Sequence, residues 1–87
     1  MTRAQRIYEK LQSTLQPSFL EVTDDSHLHV DHEAAKTGGG HFTVTIASPL
    51  FEGKTLINCH RMVYKQTEEF GEEIHALRIV INRPIID

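Results

Sequence analysis

Six histidines stand among the 87 residues, and five of them are spaced so that they can meet. His27, His29, His32 and His41 bracket the run Gly38-Gly39-Gly40, and His75 opens the last apolar alternation of the chain. Neutral imidazole is the commonest protein metal ligand and changes charge near physiological pH. A histidine cluster is therefore suited to holding a soft or borderline metal, or to sensing protons. The competing reading is structural: loop histidines that touch only water, and a His75 that hydrogen-bonds half-buried at the rim of the core, in phase with Leu77, Ile79 and Ile81.

Other reactive groups carry less. Cys59 falls in the first half of a helical segment, and a free cysteine is among the most buried residue types, so packing is its expected role. His60 belongs to an apolar stripe and reads as a structural histidine. The stretch Ser48-Pro49-Leu50-Phe51-Glu52-Gly53-Lys54-Thr55 imitates the end of a phosphate-binding loop, but Ser48 replaces the first glycine and Pro49 removes a backbone donor. No nucleophile is paired with a base, and Asp24, Asp25 and Asp31 read as turn formers, so an enzyme is not expected. Lys54, Arg61, Lys65 and Arg78 offer a basic patch within a chain of net charge −3. That balance argues against general affinity for phosphate backbones.

Length and composition bound the rest. A chain of 87 residues, 39% hydrophobic, forms a single domain over 1–87 that buries roughly 60–65% of its unfolded surface, enough for one modest core and no deep substrate cavity. One cysteine excludes an internal disulfide and fits a reducing compartment. No apolar run approaches the roughly 20 residues that cross a bilayer, and Met1 leads into an amphipathic segment rather than a signal peptide. The expectation is a soluble, cytoplasmic protein without membrane contact.

The elements that must position the histidines follow from periodicity. Residues 2–16 read as a helix with Ala4, Ile7, Tyr8, Leu11 and Leu15 on one face, a capping box from Thr2 to Gln5, and Pro17 as its end. Phe19–Asp24 and His41–Ala47 alternate as strands with one buried face, separated by a long mobile connection. Residues 55–70 form a second helix, capped by Thr55, with Leu56, His60, Val63, Thr67 and Phe70 on its stripe and Gly71 as its stop. Glu72–Ile74 adds a short turn, and His75–Asn82 is a third strand that ends before Pro84. A helical crossover between the second and third strands favours a parallel pair. His41 and His75 then begin neighbouring strands at one end of the sheet, beside the loop that carries His27, His29 and His32.

These residues also carry a resemblance. Asp24-Asp25-Ser26-His27-Leu28-His29, His41-Phe42, Phe51-Glu52-Gly53-Lys54, His60-Arg61-Met62-Val63-Tyr64 and Ile74-His75-Ala76-Leu77, in this order and spacing, resemble the BolA family from the first helix to Pro84. The resemblance implies an α+β fold of order αββααβ, a three-stranded mixed sheet with helices on one face, related to the type II KH domain. It also implies a role in iron-sulfur and iron homeostasis with a monothiol glutaredoxin, the chain being a monomer alone and a heterodimer with that partner. A 2Fe-2S cluster is shared in such complexes. The glutaredoxin and glutathione supply thiolates, and the BolA-like chain supplies the histidine matching His75 and a second ligand from the loop between the first two strands. His29 best matches that loop position, with His27 and His32 as alternates. The chain departs from the family's pattern at Cys59, where an arginine is common, and lacks the extended tail of some members, so no separate tail function is expected. The alternative function is a KH-like nucleic-acid-binding transcriptional regulator, with DNA as a weak partner. Against it, the KH clamp is a GxxG loop, and the matching turn here, Gly71-Glu72-Glu73-Ile74, lacks the second glycine and adds negative charge.

Overall fold

The computed structural model describes residues 1–29 and 39–82, with the side chains of Leu28 and His29 left aside. His32, Asp31, Gly38 and Pro84 lie outside the described residues. Helix α1 spans Arg3–Leu15. The expected capping box closes: the Thr2 hydroxyl accepts from the Gln5 N–H and the Gln5 side chain accepts from the Thr2 N–H, which satisfies two of the N–H groups that a helix start leaves over. Ile7, Leu11 and Leu15 are buried at four-residue spacing. Tyr8, expected on the same stripe, is instead 41% exposed. It stands one position, or about 100° of helix rotation, from Ile7, which turns its ring to the flank of the core.

Strand β1 (Phe19–Asp24) pairs antiparallel with β2 (Gly40–Ala47), and β2 pairs parallel with β3 (Ile74–Ile81), giving the order β1-β2-β3. The parallel pair is the one expected from the crossover. Along β2, burial alternates, with Phe42, Val44 and Ile46 enclosed beneath the helices and His41, Thr43 and Thr45 on the opposite face. Helix α2 (Leu56–Thr67) lies beside α1 on that covered face. Its N-cap is Thr55, whose hydroxyl accepts from the Asn58 N–H at 3.2 Å.

The buried stripe of α2 is Cys59, Val63 and Thr67. Leu56, expected to lead the stripe, is 50% exposed, and His60 is half-buried. The helix is rotated so that Cys59 and Val63, both fully enclosed, face the core in place of Leu56. After Thr67 the chain tightens into a 3₁₀ segment, Glu68–Glu73, broken at Gly71 where φ is 53°, a left-handed value that favours glycine. This segment includes the short turn expected before β3. No helix among the described residues is long and apolar enough to cross a membrane.

Two ion pairs tie the segment back to α1: Arg6 with Glu73 and Lys10 with Glu69. Arg3 also donates to the Glu73 carbonyl at 3.3 Å. The Arg6 hydrogen bond holds the Glu73 carboxyl below the usual glutamate range, burial opposes it, and the charges of Arg6 and Arg3 add to it. A carboxyl depressed in the folded state contributes stability that is complete above its unfolded pKa and is lost as pH falls through the lower folded value. Arg6→Ala should therefore raise the Glu73 midpoint in a carbon-13 NMR titration and remove that part of the acid dependence of unfolding. An unchanged midpoint would show that the pair does not persist in solution.

Candidate functional site: a histidine edge

The site begins with an irregularity in the parallel pair. Gly40 lies opposite Ile74, but His41 lies opposite Ala76. His75 is thus the extra residue of a bulge, the device by which a strand re-aims one side chain. The phase change is visible in the packing, because Ile74 and Leu77 both lie against the core. His75 is released from the alternation that it shares on paper with Leu77, Ile79 and Ile81 and is exposed. The competing reading, a half-buried His75 at the rim of the core, does not hold.

Beside it on β2 stands His41, half-buried, with its Nε2 enclosed. The two imidazole centroids are 5.3 Å apart and the rings are inclined by 42°. The parallel topology thus brings together the two histidines that begin β2 and β3, as strand order requires.

The chain leaving β1 fixes this edge. Asp24 Oδ1 accepts from the Ser26 N–H at 2.9 Å, closing an Asx turn. Ser26 Oγ accepts from the His41 N–H at 3.1 Å, and the Asp25 N–H donates to the His41 carbonyl at 2.7 Å. Thr43 donates its hydroxyl to Asp25 Oδ2. Asp24 and Asp25 are thus turn formers, as expected. The Ser26 side chain is the main cause holding the Asp24 carboxyl below its usual range. Burial opposes the shift, while the Ser26 N–H and the charges of Arg3 and His27 reinforce it. The turn launches a 3₁₀ segment, Ser26–His29, which carries an exposed His27 and ends at His29.

Gly39 completes the edge from behind. A Cβ at this position would stand 2.8 Å from His75 Cβ and 3.2 Å from the Glu72 carbonyl oxygen, so the chain runs against the base of the ligand candidate only because the side chain is absent. Next to it, a Cβ on Gly40 would meet the Phe42 ring at 2.6 Å. Neither the bulge nor the Gly39 contact is announced by a periodic signal. The glycine run was the only hint of close backbone approach.

The remaining candidates lie elsewhere. Cys59 is fully enclosed, its Sγ 3.9 Å from the Phe51 carbonyl, in keeping with a packing role. His60 sits on α2, in the helical layer. Residues 48–55 form no phosphate cradle: Leu50 N–H donates to Ser48 Oγ, and Phe51, Glu52 and Lys54 N–H donate to the carbonyls of Ser48, Pro49 and Phe51. A shallow basic groove of about 530 Å³ follows, lined by Lys54, Thr55, Asn58, Arg61 and Lys65 among others.

A small α+β domain with two helices over a mixed three-stranded sheet and histidines at the head of its parallel pair defines a recognised class. Residues 11–84 match the family described as BolA-like protein, and the chain belongs to the BolA family. It is 40% identical over 76 residues to the DNA-binding transcriptional regulator BolA of Escherichia coli K12, covering 86% of this chain and 70% of that protein. It is 39% identical over 89 residues to SufE-like protein 1, chloroplastic/mitochondrial, of Arabidopsis thaliana, where the match covers 95% of this chain but only 24% of the relative. The chain also spans 54% of the length of Arabidopsis protein BOLA1, chloroplastic. Among solved structures, the BolA domain of Arabidopsis SufE1 superposes with a TM-score of 0.79 at 39% identity, covering 97% of this chain and 94% of that one.

Proposed function

We propose that this chain is a non-catalytic BolA-like adaptor that shares a 2Fe-2S cluster with a monothiol glutaredoxin and glutathione, acting in iron-sulfur and iron homeostasis. The observation that supports it is the bulge that exposes His75 beside a second imidazole at a sheet edge. His75 supplies one ligand, and the loop supplies the other through His29, with His27 and His32 as alternates. The donor set suits the group: imidazole is an established replacement for thiolate on one iron of such clusters and alters cluster charge and potential. A bound cluster brings electron storage and a transferable iron-sulfide unit. This chain presents neutral nitrogen donors at a fixed edge and leaves the sulfur donors to the partner. Alone it is a monomer; with the glutaredoxin it is a heterodimer.

The test is to co-express the chain with a monothiol glutaredoxin and record visible absorption and circular dichroism. The expected spectrum differs from that of the glutaredoxin homodimer. A homodimer spectrum would count against the proposal. In the same assay Cys59→Ser should keep the mixed-complex spectrum while losing about 1–3 kcal/mol of stability to urea, because its hydroxyl enters an apolar site. Loss of the cluster from a folded Cys59→Ser protein would make this thiol a ligand.

A second reading rests on the basic groove and on the name of the Escherichia coli relative: nucleic-acid binding along Lys54, Arg61 and Lys65. The acidic turn at Glu72 and Glu73 opposes it. Binding to single- or double-stranded DNA at physiological salt is expected to be weak and steeply salt-dependent. Tight, sequence-selective binding under those conditions would reverse the order of the two readings.

A further inference from the structure

We infer that His41 and His75 together form a divalent-cation site, of the zinc or cobalt(II) class, that the chain carries without a partner. The argument is one of spacing. A tetrahedral ion holds imidazole nitrogens at ~2.0–2.1 Å, which puts each ring centre ~3.2 Å from the metal and two ring centres ~5.2 Å from each other. The centroids of His41 and His75 stand 5.3 Å apart. A half-turn about χ2 swaps Nδ1 with Cδ2 and Nε2 with Cε1 while barely moving the ring centre, so the spacing is kept in either orientation of each ring.

The arrangement is also held in advance. The His41 backbone is hydrogen-bonded at both its N–H and its carbonyl by Ser26 and Asp25. His75 is fixed as the bulged residue of β3, with Gly39 against its Cβ. Fixed ligands lose little conformational entropy on binding. Among the described residues no group of three or more histidine, cysteine, aspartate or glutamate side chains is placed to hold a metal. The pair therefore supplies two of four positions, and water or an incoming donor takes the others. Imidazole ligation of this kind suits zinc, copper, nickel and iron(II). The site shares His75 with the cluster reading but does not depend on it, and it assigns His41 a role that the loop histidines otherwise hold.

The experiment is a zinc titration of the isolated chain followed by long-range nitrogen-15 NMR of the imidazole nitrogens. One ring nitrogen of His41 and one of His75 should shift together with a common midpoint. His75→Ala should abolish the His41 response, and His41→Phe should weaken zinc binding at least tenfold, whereas His60→Ala should leave it unchanged. If zinc moves His75 together with His27, His29 or His32 while His41 stays still, or moves no ring at all, the pair is an ordinary ring contact and the inference fails. If His41→Phe does not fold, the wild-type spectrum decides alone. A chain that binds zinc through both rings yet forms no mixed cluster with a glutaredoxin retains this site and loses the proposed function.

Discussion

His75→Ala is expected to abolish the mixed cluster with a monothiol glutaredoxin and to leave the domain folded. The two halves of that result have separate causes. His75 is exposed and pinned at a strand bulge, so no neighbour can move into its place. Its ring contributes little packing, and substitutions at exposed positions commonly change stability by only about 0.5 kcal/mol. The alanine keeps the Cβ that rests against Gly39, so the strand start is not undermined. Unfolding in urea should match the wild type, while the visible circular dichroism of the complex should revert to that of the glutaredoxin alone. The loop should be more forgiving. His29→Ala should leave a weaker, spectrally altered cluster as His27 or His32 substitutes, and only removal of all three should equal the His75 defect. A His75→Ala protein with a wild-type spectrum and cluster lifetime would refute the histidine-edge mechanism.

The second large effect concerns two adjacent glycines that act on different parts of the molecule. At Gly39 an added methyl group meets His75 Cβ at 2.8 Å, with backbone on both sides and no flexible side-chain end to yield. At Gly40 it meets the ring of Phe42, a core residue only 2% exposed. Overpacking of this kind costs about 1–3 kcal/mol. Gly40→Ala should register mainly as lost stability, with a folded fraction that still forms the mixed cluster. Gly39→Ala should push the start of β3 away from β2, widening the imidazole pair, and should lower cluster affinity by far more than its loss of stability explains. Urea melts and cluster titrations of the two variants compare the effects directly. Equal ratios of cluster loss to stability loss would show that Gly39 has no special relation to the site.

The contrast explains what the sequence made legible. The strands and the parallel pairing followed from alternation around Val44 and Ile79 and from a helix long enough to cross over. That alone puts His41 and His75 at one end of the sheet. The capping box at Thr2 and the N-cap at Thr55 were readable because each needs only a local donor and acceptor. The failures are equally specific. Tyr8 and Leu56 fall outside the core because apolar character alone does not fix the rotation of a helix, and the two helices turn Ile7 and Cys59 inward instead. The competing rim placement of His75 fails because it carries alternation unbroken through a bulge. A bulge depends on the register between two strands far apart in sequence, and no periodicity within one strand reveals it. The placement of His32 lies outside the described residues, as does the side chain of His29, so the choice among loop ligands rests on the resemblance.

Enclosure of Cys59 has one further consequence. It is the only cysteine of the chain, and its sulfur is sealed between α2 and the Phe51 turn. Under the proposed function the chain meets glutathione and a reactive glutaredoxin thiol, and an accessible cysteine would then be open to mixed-disulfide formation, since exchange begins with direct contact between sulfurs. Here that contact requires the core to open first. Glutathionylation and peroxide oxidation of this chain should therefore be limited by opening of its core, so that in the proposed assembly oxidants which disable the partner's thiols would leave the nitrogen half chemically intact and ready to be paired again.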